Sequence, residues 1–211
     1  ETNFIVPGNI SNNIASLNKK SHSGAFNYRY NYNDKLSLGA ISTLRTADNY
    51  HNIVAGFDAK YRLNDSNKVS TQILHSNSQY PDQIQRADIQ GEFEGKAYKI
   101  QFEHDSEYWK VDAEHQKIGD FFRADLGFMT KTDFQENKLS VDRLFYSDND
   151  SLWQEFTLKS DWRLQQNEAG ELLKRSFSTG FEVTGPMLSL LTVDFSKTTN
   201  VGLRHDESNT A

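Results

Sequence analysis

The stretch Tyr98-Lys99-Ile100-Gln101-Phe102-Glu103-His104-Asp105-Ser106-Glu107-Tyr108-Trp109-Lys110-Val111-Asp112-Ala113-Glu114-His115 alternates apolar and polar side chains on both sides of a polar centre. Alternation with a period of two is the mark of a strand with two unlike faces. A turn at Ser106-Glu107 sets Phe102 opposite Val111, Ile100 opposite Ala113 and Tyr98 opposite His115. The other face then pairs Glu103 with Lys110, Gln101 with Asp112 and Lys99 with Glu114. Each opposite-charge pair contributes roughly 0.2–1 kcal/mol. A one-residue slip would exchange the two faces, so the hairpin is strongly specified. A half-buried hairpin of a soluble sheet would read the same way.

Similar runs extend in both directions. Gly24–Tyr32 carries Phe26, Tyr28, Tyr30 and Tyr32 on one face and Asn27, Arg29 and Asn31 on the other. The turn Asn33-Asp34-Lys35 leads to a strand over Leu36–Arg45, with Tyr30 expected opposite Leu38. Ile53–Arg62, the turn cluster Asn64-Asp65-Ser66-Asn67 and Lys68–Ser76 follow, then a polar loop with Pro81. Later strands are expected over Thr132–Phe145, Leu152–Leu164, Leu173–Thr184 and Met187–Thr199, the last after a Gly185-Pro186 turn. No helical period separates them, which argues against βαβ units.

The expected fold is all-β, an antiparallel up-and-down meander of about ten strands. It forms a β-barrel or part of a larger outer-membrane barrel. Residues 1–23 read as an irregular N-terminal segment, 24–200 as the barrel-like domain and 201–211 as a polar C-terminal tail. The opening Glu1-Thr2-Asn3 has no signal-peptide pattern, as in a processed or partial chain. The polar end lacks the terminal aromatic strand of a complete bacterial barrel.

Composition narrows the function classes. Hydrophobic residues make up 36% of the 211 residues, and mean hydropathy is -0.73. No run approaches the roughly 20 apolar residues of a spanning helix. Membrane barrels remain open, because their alternating strands average to a soluble-looking hydropathy. Net charge is -6, with no strongly basic stretch, which argues against a nucleic-acid partner. Cysteine is absent, so there is no disulfide framework and no thiolate chemistry. Several expected strands exceed the usual 5–6 residues of soluble sheets. A tilted strand needs about 9–11 residues to cross a bilayer. Thr71, His75, Ser160 and Arg175 interrupt the apolar faces.

The segment from Asn52 to Phe134 resembles the domain of unknown function 5916 family of Gram-negative outer-membrane proteins. The matching features are Asn52-Ile53-Val54-Ala55-Gly56-Phe57-Asp58-Ala59 with Tyr61-Arg62-Leu63, and Gly95-Lys96-Ala97-Tyr98 leading through Tyr108-Trp109. They end at Ile118-Gly119-Asp120-Phe121-Phe122-Arg123-Ala124-Asp125-Leu126-Gly127-Phe128. Lys131 stands where the family usually has arginine. The resemblance implies a barrel-like region in the outer membrane, without established activity. It also implies a carbohydrate-binding-like domain upstream, through which carbohydrate would be a partner, with membrane lipid around the strands. Some members are labelled as membrane-associated hydrolases, but no motif in this segment supports that label.

The family-like motif Phe121, Phe122, Arg123, Asp125, Gly127 and Phe128 reads either as a lumen-lining or ligand-contacting loop, or as a corner. In the corner reading Arg123 pairs with Asp125, and Gly127 permits a strained turn or bulge. Trp109, Trp153 and Trp162 are candidates for stacking on sugars, against ordinary core or interface positions. His22, His51, His75, His104, His115 and His205 show no compact metal-ligand spacing. The acids Asp105, Glu107, Asp112 and Glu114 alternate with lysines, as on a solvated face. No phosphate-cradling glycine loop, nucleophile elbow or HExxH helix occurs. Asn9-Ile10-Ser11 and Asn149-Asp150-Ser151 match glycosylation sequons. The expectation is a non-enzymatic barrel segment without a cofactor, serving transport, surface display, assembly or surface carbohydrate handling. The alternative is a soluble β-barrel or sandwich that binds carbohydrate or another extracellular ligand, and a membrane-associated hydrolase stands last.

Overall fold

The computed structural model describes residues 2–7, 12–17, 20–81, 91–127, 129–148 and 152–201. Among these described residues twelve strands follow one another: β1 Thr2–Pro7, β2 Asn12–Leu17, β3 His22–Asn31, β4 Leu36–Ala47, β5 Tyr50–Arg62, β6 Asn67–Gln79, β7 Glu92–Asp105, β8 Trp109–Ile118, β9 Phe134–Tyr146, β10 Glu155–Gln166, β11 Leu172–Thr184 and β12 Leu190–Asn200. Strands β3 to β12 form one antiparallel sheet in sequence order. The meander of ten strands is therefore present. The sheet is open, with β3 and β12 as its edges.

Within the expected irregular segment 1–23, Thr2–Pro7 and Asn12–Leu17 are strands. β1 and β2 pair as a separate hairpin, with Ile5 opposite Ile14, and His22 and Ser23 already belong to β3. The β-branched residues Ile5, Val6 and Ile14 favour extended backbone, and the abundance of Asn and Ser around them masks that signal. Three later strands start after their expected residues, β9 among them at Phe134. β12 begins at Leu190 because Pro186–Leu188 form a short 3-10 turn in which Met187 takes a left-handed φ of 56°. β10 begins at Glu155. Residues 202–211, Phe128, and both sequons, at 9–11 and 149–151, lie outside the described residues.

Register follows local turn chemistry. Tyr30 faces Leu38 as expected, with the Asn33 Oδ1 accepting from the Lys35 and Leu36 amides at the tip. The β7–β8 register differs from expectation. Phe102 faces Ala113, Ile100 faces His115 and Asp105 faces Lys110. The Ser106 amide donates to the Trp109 carbonyl, so the tip is Glu107-Tyr108, one residue beyond the expected turn. Moving a turn by one residue changes every partner by two, which leaves each side chain on its face. The expected contacts reappear as diagonals: Lys99 still bridges to Glu114, and Tyr98 OH still meets His115 Nε2 at 3.2 Å.

The pairings carry one apolar face through all ten strands. Tyr30, Leu38, Phe57, Ile73, Tyr98, Phe102, Leu139, Leu158, Trp162, Phe177 and Phe195 all lie on it. This face is open: Phe57 is 72% exposed and Phe195 66%. The opposite face is polar and holds the most deeply buried groups. The largest fully buried side chains are Arg123, Asn52, Thr132, Ser76 and Ser78. The usual order of a water-soluble core, apolar inside and polar outside, is inverted.

Candidate functional site

The polar face is knit by ion pairs that cross the strands. Lys99 binds Glu114, and Lys138 lies 2.9 Å from both Glu114 and Glu136. Arg163 reaches Glu136 at 3.7 Å. Further along, Lys159 meets Glu182 at 2.9 Å, Lys68 meets Glu103 at 2.6 Å and Arg29 meets Asp58 at 3.1 Å. Alternation places these residues on one side, and antiparallel pairing brings opposite charges within reach. A hollow of about 380 Å³ opens here, with Asp112, Lys138, Asp161 and Arg163 in its lining.

At one end of this face residues 119–127 and Met129, between β8 and β9, fold back over β5, β6 and β7. Gly119 starts this segment with an amide bond to the Lys96 carbonyl at 3.0 Å. Phe122 then enters the small apolar core with Val54 and Ala97, flanked by Leu74, Ile118, Ala124 and Met129. It can do so because Gly95 lies beneath it. A β-carbon on Gly95 would stand 2.2 Å from the Phe122 backbone nitrogen and α-carbon.

Beside Phe122, polar groups lock the segment down. The Arg123 amide donates to Ser76 Oγ at 3.1 Å. Asn52 Nδ2 donates to Ser78 Oγ at 2.8 Å and to the Arg123 carbonyl at 3.0 Å, while its Oδ1 accepts from the Asp125 amide at 2.9 Å. Arg123 is 1% exposed. Its Nη1 donates to the carbonyls of Asp120 and Phe122, and its guanidinium lies 5.8 Å from the Phe93 ring centre. The Asp125 oxygens accept from Tyr50 at 2.5 Å and from Tyr80 at 2.8 Å. The two tyrosine rings stack at 5.9 Å. Burial pushes the Asp125 carboxyl above its usual range, against the pull of both tyrosines, Arg123 and Arg45. Burial likewise raises the Tyr80 hydroxyl, with Asp125 adding to the effect.

The expected motif is thus a docked cap. The expected Arg123–Asp125 corner is replaced by separate hydrogen-bond partners, because backbone carbonyls and tyrosines stand closer. Gly127 is not a strained position: it closes an ordinary turn with an amide bond to the Ala124 carbonyl at 2.9 Å, and an added β-carbon would find normal contacts there. The backbone demand for glycine sits at Gly95. Phe121 is exposed. The sequence reading missed Tyr50, Ser76, Ser78 and Tyr80, and it named Asn52 and Gly95 as family-like features without placing them beside the cap. Their signal was the run of small or polar residues at alternate positions near the ends of β5, β6 and β7.

The three tryptophans lie on or beside the apolar face. Trp109 is 44% exposed and Trp162 38%. Trp162 is flanked by Leu139 and Phe177. Trp109 and Trp153 come to the end opposite the cap, where Arg143 lies 4.8 Å from the Trp109 ring and 5.0 Å from Phe145. Trp153 lines an apolar hollow with that same Phe145. His51, His104 and His115 bond to Asn77, Asn67 and Asn137. Among the described residues no group of three or more His, Cys, Asp or Glu could hold a metal. No protein-family model matches the chain, and no curated protein does.

Proposed function

We propose that this chain supplies ten strands to the wall of a β-barrel in the outer membrane of a Gram-negative bacterium, as part of a non-catalytic protein for transport or surface carbohydrate handling. The carrying observation is the inversion of the sheet: aromatic and aliphatic side chains stand open on one face of every strand, while charged pairs and a polar cap fill the other. Lipid is the medium that suits the first face, and a wet or plugged lumen suits the second. Length agrees. A 13-residue strand such as β5 extends about 40 Å, and at a 40° tilt it rises about 30 Å, the thickness of a hydrocarbon core.

The edges agree as well. β3 and β12 each present a row of backbone N–H and C=O groups that lipid cannot satisfy, so a membrane wall requires these edges to be paired, with each other or with further strands. The cap at 119–127 would narrow the lumen at one end. Glu103, Glu114, Glu136 and Glu182 of the inner face each bind a lysine, which suits a lining more than a hydrolytic pair. The resemblance read in Asn52–Phe134 implies the same setting, with carbohydrate met through an upstream domain. Fractionation tests it: the protein should pellet with membranes, resist alkaline extraction and stay folded only in detergent or bilayer. A folded monomer in detergent-free buffer would overturn it.

A second reading rests on the exposed Trp109 and Trp162, which would suit a soluble sheet that stacks on sugars. Saturable quenching of tryptophan fluorescence by a glycan, in buffer without detergent, would favour it.

A further inference from the structure

Arg143 stands on the apolar face of β9, with Trp109 opposite on β8 and Leu158 opposite on β10. Three aromatic rings surround its guanidinium: Trp109 at 4.8 Å, Phe145 at 5.0 Å and Tyr108 at 5.4 Å. It donates one hydrogen bond, to the Tyr108 carbonyl at 3.2 Å. Among the described residues no carboxylate comes within ion-pair distance of it, in contrast to the paired cations of the inner face. An arginine can spread over aromatic rings and still offer its outer N–H groups to a planar or tetrahedral oxyanion.

Phe145 is shared with the hollow next to it. That hollow holds about 460 Å³ and is lined by Phe145, Trp153, Phe156 and Val183, all apolar. It lies at the same end of the sheet, near the Ser147 amide bond to the Gln154 carbonyl and away from the cap. A cation with no carboxylate partner among the described residues and an oily trough that share one wall match an amphiphile with an anionic head and a hydrocarbon tail. Aromatic residues at a membrane rim mark the level where head groups sit.

We infer that Arg143 and this hollow form a seat for one anionic glycerophospholipid, its phosphate on the Arg143 guanidinium and an acyl chain between Phe145, Trp153, Phe156 and Val183. The inference rests on the membrane reading above and adds to it a specific lipid position. Tyr108 and Trp109 exclude water from the head-group contact, and Phe156 floors the chain contact.

Native mass spectrometry of the full protein, released from a neutral maltoside micelle, reads this directly. Phosphatidylglycerol, phosphatidylcholine with the same chains, and inorganic phosphate are the probes. The wild type should retain one phosphatidylglycerol at least about fivefold better than phosphatidylcholine, and inorganic phosphate should not displace it. Arg143→Gln should abolish that preference, and Trp153→Ala should lower retention of both lipids. Equal retention of the two lipids by the wild type overturns the seat, whether or not the variants fold. So does undiminished phosphatidylglycerol retention by Arg143→Gln. If the protein takes up no detergent and remains folded without it, the membrane reading itself falls and the seat falls with it. If it takes up detergent yet shows no lipid preference, only the seat fails.

Discussion

The backbone of Phe122 occupies the place where a side chain on Gly95 would stand, 2.2 Å from a β-carbon built there. The cap therefore depends on a residue of β7 that makes no polar contact with it. Gly95→Ala should push the 119–127 segment off the sheet and leave the strands paired, at a cost of about 1–3 kcal/mol. Hydrogen exchange should show lost protection at Phe122 to Asp125 with unchanged far-ultraviolet circular dichroism. Unaltered protection would mean that the cap does not rest on Gly95.

Arg123 is held by geometry as much as by charge. Its Nη1 reaches two backbone carbonyls at once, those of Asp120 and Phe122. A lysine ammonium lacks the planar fork. Arg123→Lys should thus destabilise the cap nearly as much as Arg123→Met, by roughly 1.5–3 kcal/mol. Urea titration of each variant reads the difference, and a lysine variant as stable as the wild type would refute this.

Asp125 gives the cap a pH dependence. Burial raises its carboxyl above the ordinary range. A carboxyl with a higher pKa folded than unfolded binds its proton more tightly in the folded state. Its contribution to docking therefore grows as pH falls through the folded value and is complete below the unfolded value, near about 4. Protease resistance of the 119–127 segment should rise on acidification from about pH 7 across that window. Asp125→Asn should flatten the profile. A profile that falls with acidification, or that persists in Asp125→Asn, assigns the effect elsewhere.

On the polar face Glu114 links β7 to β9 through Lys99 and Lys138. Glu114→Gln should cost roughly 1–3 kcal/mol, because two cations lose their shared partner in a mostly buried place. Lys138 retains Glu136 at 2.9 Å, so the double variant with Lys138→Met should cost less than the sum of the single changes. A strictly additive cycle would show that the ion pairs act independently.

Much of the sheet was legible because alternation fixes faces. Tyr30 opposite Leu38 followed from a short polar turn, and the two faces of β7 and β8 followed from their pattern. The exact partners did not, since a turn centred on Ser106-Glu107 and one centred on Glu107-Tyr108 keep the same faces and give nearly the same chemistry. The cap was legible as a motif but not as a place. Its partners Tyr50, Asn52, Ser76, Ser78 and Tyr80 lie far from it in sequence, and they meet it only after β5, β6 and β7 have paired. The β1–β2 hairpin was hidden by its polar composition. Arg143 and its three rings were invisible for the same reason as the cap, since Tyr108 and Trp109 reach it across the β8–β9 pairing.

Neighbouring residues Gln72 and Ile73 of β6 point to opposite faces, paired with Asp58 and Phe57. The chain has no cysteine, so a single nitroxide can be placed at either position by substitution to Cys. In reconstituted bilayers, the label at 73 should collide with oxygen and be shielded from a water-soluble nickel chelate, and the label at 72 should do the reverse. Equal access of the chelate to both positions would contradict a lipid-facing apolar sheet.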